Sequence, residues 1–136
     1  MTQSETKPMS VVHVRKGEAT VVPGRRSFIE YLALGAAEGS NGTMRAEILL
    51  ARPEGTQPTG WHYHDCQVQF LYMLKGAIDL QFPGGDWIRL AEGDSITIPG
   101  GTVHQERGGS DMCEVMEVSV PAKMETVAVN LPEALI

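Results

Sequence analysis

From Val11 onward the chain is cut into short apolar stretches by turn-forming residues, and this segmentation limits the fold more than any other feature. The stretches cover residues 11–14, 20–22, 44–51, 67–74, 77–82, 87–90, 95–98, 113–120 and 126–129. Between them stand Pro23-Gly24, Asn41-Gly42, Pro83-Gly84-Gly85, Glu92-Gly93-Asp94, Pro99-Gly100-Gly101 and Gly108-Gly109. Short strands about 8–12 residues apart, separated by Gly, Pro or Asn turns, predict an all-β sandwich or barrel. Fifteen glycines and eight prolines argue against a helical bundle.

One stretch allows two readings. Ser27, Phe28, Ile29 and Glu30 match a capping box ahead of Tyr31-Leu32-Ala33-Leu34, which would make a short helix. The same residues alternate loosely and carry β-formers at Phe28, Ile29 and Tyr31, so a strand is preferred. Residues 1–10 show no periodicity and are expected to be a flexible N-terminus. Residues 11–129 are expected to form one β-barrel domain, and 130–136 a tail in which Pro132 stops any strand.

A length of 136 residues suits one domain with a core of its own. The net charge of -6 gives no basis for phosphate neutralisation, so nucleic acid is not an expected partner. No apolar run approaches the roughly 18 residues of a membrane span, and the opening MTQSETKPMS is polar, so a cytoplasmic protein is expected. Cys66 and Cys113 are then expected to stay reduced.

Three of the four histidines fall at two places, His62-Tyr63-His64 and His104. On a strand, positions i and i+2 share a face, so His62 and His64 aim two imidazoles at one point. That geometry suits a metal ion. Position 69 lies at an odd offset and would face away from them unless Asp65-Cys66-Gln67 bends or bulges the chain. The plainer alternative leaves the histidines at a barrel rim, bonded to water or backbone, but their spacing favours a ligand set. His13 has no partner in sequence and is read as structural or exposed. Cys66 is set aside as a ligand, since thiolates belong to closed structural zinc sites. The strand after the histidines should place Gln69, Leu71 and Met73 on one face, giving an apolar wall beside the ion, with Phe70, Tyr72 and Leu74 opposite.

His62-x-His64-x4-Gln69-x6-Gly76 resembles the first motif of the cupin family, with Gln69 where Glu is usual. Gly93-x5-Pro99-x-Gly101-x2-His104 resembles the second. Two positions depart from the pattern: no glycine stands six residues before His62, and Gly108 occupies the place of a usual Asn. The resemblance implies a double-stranded β-helix (jelly-roll) barrel and one divalent ion, Zn, Fe, Mn, Ni or Cu, held by His62, His64, Gln69 and His104. It also implies a homodimer, for which an N-terminal strand at 11–14 offers an edge.

Gln69 brings no charge, so such a centre would favour an anionic small-molecule ligand. The expected function is that of a metal-dependent enzyme (a dioxygenase, isomerase or lyase) acting on a small organic acid, hydroxy-keto compound or sugar acid. Some cupins with Gln at this position act on sugar acids from pectin breakdown. The alternatives are a barrel that binds or senses a small molecule without chemistry, and an empty structural barrel, against which the histidine set argues. No general base stands out; Tyr63, Tyr72 and Glu106 are the nearest polar residues.

Overall fold

A computed structural model describes residues 8–24, 26–53, 57–109 and 111–132. The expected flexible start at 1–10 therefore lies outside the described residues apart from 8–10, and the tail lies outside beyond 132.

The turn residues divide the chain much as their spacing predicts. The strands are β1 (Thr20–Pro23), β2 (Ile29–Ala33), β3 (Arg45–Ala51), β4 (His62–Asp65), β5 (Val68–Lys75) and β6 (Ile78–Gln81). They continue as β7 (Ile88–Leu90), β8 (Ser95–Pro99), β9 (Gln105–Gly108), β10 (Cys113–Val120) and β11 (Glu125–Ala128), with one short helix, α1 (Ala36–Gly39).

Three expectations need correction or completion. Residues 11–14 form no strand; the arm lies across the α1 turn, where Ser10 donates to the Gly39 carbonyl (2.8 Å) and Val12 and Val14 fill the space a side chain at Gly35 would need. With Val11 almost fully exposed, apolar composition here reflects packing on a neighbouring turn, not a ladder. The strand preferred for the stretch after Ser27 forms in place of the capping-box helix, because residues 29–33 pair with β3 on one side and β1 on the other. Tertiary hydrogen bonds outweigh a local cap worth about 1 kcal/mol. Strand β9, of sequence QERG, carried no apolar signal.

Two walls face each other. The first is a six-stranded antiparallel sheet in the order β1-β2-β3-β10-β5-β8. The second consists of β11-β4 and β7-β6-β9, joined by a single bridge between His62 and His104. The core between them contains Leu71, Met73, Leu80, Leu90, Ile98 and Val115, with Leu80 and Met73 fully excluded from water. Period-two alternation fills it: in β10 the residues Cys113, Val115, Glu117 and Ser119 all point in. In β5 the inward set is Gln69, Leu71 and Met73, as the sequence predicts.

Register turns these alternations into rows across the first sheet. Ile29, Ala51 and Cys113 lie opposite one another, then Tyr31, Leu49, Val115 and Met73, then Glu47, Glu117 and Leu71, and last Arg45, Ser119 and Gln69. The interior is thus apolar at one end and polar at the other. No helix among the described residues is long and apolar enough to cross a membrane. Cys66 and Cys113 are both free thiols, the second buried.

Candidate metal centre

The polar end is where the two sheets of the second wall meet. His62 N–H donates to the His104 carbonyl (2.9 Å) and His104 N–H to that of His62 (2.8 Å), so the backbones of the two motifs are clamped directly together. His64 follows on the same face of β4. The Pro99-Gly100-Gly101 turn approaches so closely that a side chain at Gly100 would overlap the Cys66 carbonyl oxygen, and Gly101 takes a positive φ of 79°. Gly101 N–H then donates to the His64 carbonyl (3.0 Å). Only glycine allows both the approach and the turn.

Imidazole nitrogens of His62, His64 and His104 lie within 4.8 Å of one another. Hydrogen bonds set which nitrogens converge. His62 Nδ1 donates to the Gly60 carbonyl (2.7 Å) and His104 Nδ1 to the Thr102 carbonyl (2.8 Å), while His64 Nδ1 meets the Thr126 hydroxyl (3.0 Å) across the β4–β11 pair. A carbonyl can only accept, so in the neutral rings of His62 and His104 the proton sits on Nδ1 and Nε2 keeps its lone pair. Burial lowers the His104 pKa from the ordinary histidine value, despite the nearby Glu106 carboxylate, which favours the neutral ring a ligand requires.

Cys66 and Gln67 form a two-residue bend between β4 and β5, and this bend carries the chain from the second wall to the first. The odd offset of Gln69 is thereby absorbed, and its buried side chain lines the same cavity as His62 and His64. The Glu117 carboxylate accepts a hydrogen bond from the Gln69 side chain, while Gln69 Oε1 is buried without a partner. Ser119 Oγ, its register partner, also lacks a hydrogen bond, and so does Arg45 Nε in the same row, although it faces the Glu47 carboxylate at 3.3 Å. Among the described residues these are the only buried side-chain nitrogen and oxygen atoms left so. Leaving one such atom unsatisfied costs about 1–3 kcal/mol, so the two oxygens without any partner, Gln69 Oε1 and Ser119 Oγ, mark a place arranged for a guest. Three imidazoles and a free amide oxygen fit a divalent first-row ion with open positions.

Several groups here were not picked out in the sequence. Arg45 reaches Glu117 (3.2 Å) and Glu47 (3.3 Å), and burial pushes the Glu117 carboxyl up to about 7 and the Tyr31 phenol well above its usual value. The clue was in β10, where alternation puts Glu117 on the face of Cys113 and Val115. Glu106 turns out to be central: its carboxylate oxygens stand 3.7 Å from His62 Nε2 and 3.5 Å from His104 Nε2. The carboxylate missing at position 69 is therefore matched by one on β9, and the centre is less positive than Gln69 alone suggests. Tyr72 is exposed, and neither it nor Tyr63 lines the cavity. The expected wall of Leu71 and Met73 is also displaced: Leu71 lines a deeper cavity and Met73 belongs to the closed core. His13 is exposed and takes no part.

The fold is shared widely. The polyketide cyclase RemF from Streptomyces resistomycificus superposes with a TM-score of 0.73 at 20% identity, covering 90% of this chain and 88% of the other. KdgF from Halomonas sp. gives 0.67 at 17%, covering 82% and 96%. A cupin-superfamily sugar phosphate isomerase from Silicibacter pomeroyi gives 0.61 at 19%, covering 83% and 75%. A sequence comparison with curated proteins finds no match. At these identities the superpositions speak for the fold alone, a jelly-roll barrel. The family description of the cupin domain matches residues 49–120, more than half of the chain and both histidine motifs, and the chain therefore belongs to the cupin domain family.

Proposed function

We propose that this cupin is a metal-dependent enzyme that moves protons on a small hydroxy-keto compound, organic acid or sugar acid, with one divalent ion held by His62, His64, His104 and Gln69. The observation that carries the reading is the convergence of three imidazoles, two with Nδ1 tied to a carbonyl, on a cavity where Gln69 Oε1 has no partner. An ion bound there would supply a Lewis acid for a carbonyl or carboxylate oxygen. The chain supplies the rest. Glu106 stands between two of the histidines, able to hold or pass a proton at its carboxylate oxygens. Arg45, fixed by Glu47 and Glu117, gives the cavity a cationic group for orienting an oxygen-rich substrate.

A cavity of about 310 Å3 beside the histidines suits a substrate of metabolite size. The presence of a polyketide cyclase and a sugar phosphate isomerase among the structural neighbours is consistent with rearrangement chemistry on this scaffold. The test is turnover by the metal-loaded protein on hydroxy ketones, keto acids and uronates, with solvent deuterium incorporation and dioxygen both followed. Deuterium uptake next to a carbonyl, lost in His104→Ala and in Glu106→Gln, is expected. Dioxygen consumption without such exchange would replace the proposal with an oxygenase, and binding without turnover of any kind would make the barrel a small-molecule binder.

A further inference from the structure

Behind the histidine cavity lies a second one of about 70 Å3, and the two share Ile29, Leu49, Thr59, Gln69, Glu106 and Glu117. Its far end is built from the apolar rows of the first sheet: Ala51 and Cys113 opposite each other, then Leu49 and Val115, with Phe28 and Ile78 closing it. Small residues create the space. Ala51 stands between Ile29 and Cys113, and Gly108, at the end of β9, adds no side chain from the opposite wall.

We propose that this deep cavity receives a short aliphatic group of the ligand whose oxygen atoms lie at the histidine end, so the ligand class is a small oxygen-donor compound bearing an alkyl substituent. The inference rests on the reading of the histidine end as a metal centre. Polarity along the sheet carries it. From the row of Arg45, Ser119 and Gln69 to the row of Ile29, Ala51 and Cys113, six residues along β3 and β10, the interior passes from a guanidinium and two unpartnered oxygens to none of either. A fully hydrophilic ligand such as a sugar acid would leave the deep end unfilled or would bury hydroxyls against Leu49, Val115 and Phe28 without partners. An alkyl group fits instead. A cavity of roughly 150 Å3 takes a benzene ring, so one about half that size holds about three carbon atoms.

The experiment uses straight-chain alkyl hydroxamates, whose paired oxygens bind metal while the alkyl tail is lengthened one methylene at a time. With the zinc-loaded protein, calorimetric affinity is expected to rise up to about fourfold per methylene from acetohydroxamate through butanohydroxamate and to level off or fall by hexanohydroxamate. Ala51→Leu, which fills the cavity, should keep acetohydroxamate affinity and lose the gain from longer tails; Ala51→Val is the milder companion should the larger residue impair folding. Xenon binding to the metal-free protein, read by xenon NMR, reports the cavity without the ion. Xenon uptake abolished by Ala51→Leu supports the apolar assignment even if no hydroxamate binds, a result that would refute the metal centre alone. A flat hydroxamate series in the wild-type protein, or absence of xenon uptake, overturns the proposal.

Discussion

The two ends of strands β3 and β10 lie in one continuous antiparallel pairing and have opposite interiors. At one end Arg45, Glu47, Glu117 and Ser119 face inward; four residues further along, Leu49, Ala51, Val115 and Cys113 do. The apolar end shields its side chains from water, which contributes to stability in proportion to the area removed, and leaves among them the small cavity proposed to take an alkyl group. The polar end leaves hydrogen-bonding capacity unspent at Gln69 and Ser119 and keeps a carboxyl whose charge is suppressed by burial. A single barrel therefore grades its interior along the strand axis, with apolar contacts at one end and polar groups prepared for binding at the other.

The sharpest way to break this division is to remove a histidine. His62→Ala or His104→Ala should lower metal content from about one ion per chain to near zero, by elemental analysis of protein purified without a histidine tag. Leu80→Ala, in the closed core, should leave metal content intact while costing about 2–5 kcal/mol in urea unfolding. Metal retained in both histidine variants would remove the assignment. In the wild-type protein, occupancy should fall as pH drops below about 6.5, since ligand imidazoles must be neutral.

A second contrast uses two buried carboxylates of opposite sign. Asp79, on the outer face of β6, accepts hydrogen bonds from Arg89 (2.9 Å) and Arg107 (3.1 Å), and these hold its carboxyl below the usual range. A depressed folded pKa gives stability that is present above the unfolded value near 3.9 and lost as pH falls through the folded one. Asp79→Asn should cost about 1 kcal/mol at pH 7, since both arginines reach solvent and screen the pair, and progressively less below pH 4, in paired denaturation curves. Glu117 runs the other way. With its pKa raised to about 7, the metal-free fold loses stability as pH rises from about 4.5 to 7, and Glu117→Gln should remove that slope. Equal pH dependence in wild type and Glu117→Gln would show that the polar end does not carry the cost described here.

Gln69→Glu should have a smaller effect and a divided one. Metal retention should be unchanged or better, while affinity for oxalate or citrate falls about tenfold, because a second carboxylate joins Glu106 near the ion. Calorimetry on both proteins loaded with the same metal reads both quantities, and equal anion affinity would place Gln69 outside contact with the ion. The least perturbing test concerns assembly. Strand β1 is the outer edge of the first sheet, exposed along its whole length, with Val21 and Val22 uncovered. An edge of that kind favours pairing with a second copy. Light scattering at micromolar concentration should give about twice 14.8 kDa, and a monomer mass would refute the homodimer.

Strand positions were legible in the sequence wherever apolar alternation met a Gly or Pro turn, as in β3, β8 and β10. The His62–His64 pair was legible for a related reason, because a spacing of two on a strand leaves side chains no choice of face, whereas His104 was joined to them through the resemblance of its motif to the cupin pattern. What could not be read was anything set by pairing between distant strands. Polar β9 became a strand only because β6 offers it a ladder, and Glu106 came to face His62 and His104 through that register. Pairing with β3 also decided between the two readings of the Ser27 stretch, in favour of the preferred strand, and the arm at 11–14 found a turn to pack on instead of a strand. The same holds for the interior gradient. Each strand's alternation states which residues point inward, but Arg45, Ser119 and Gln69 form one row, and Ala51 and Cys113 another, only once three strands are aligned. Local chemistry acts through period two and is written in consecutive residues; register is a long-range hydrogen-bond choice, made when the whole barrel closes.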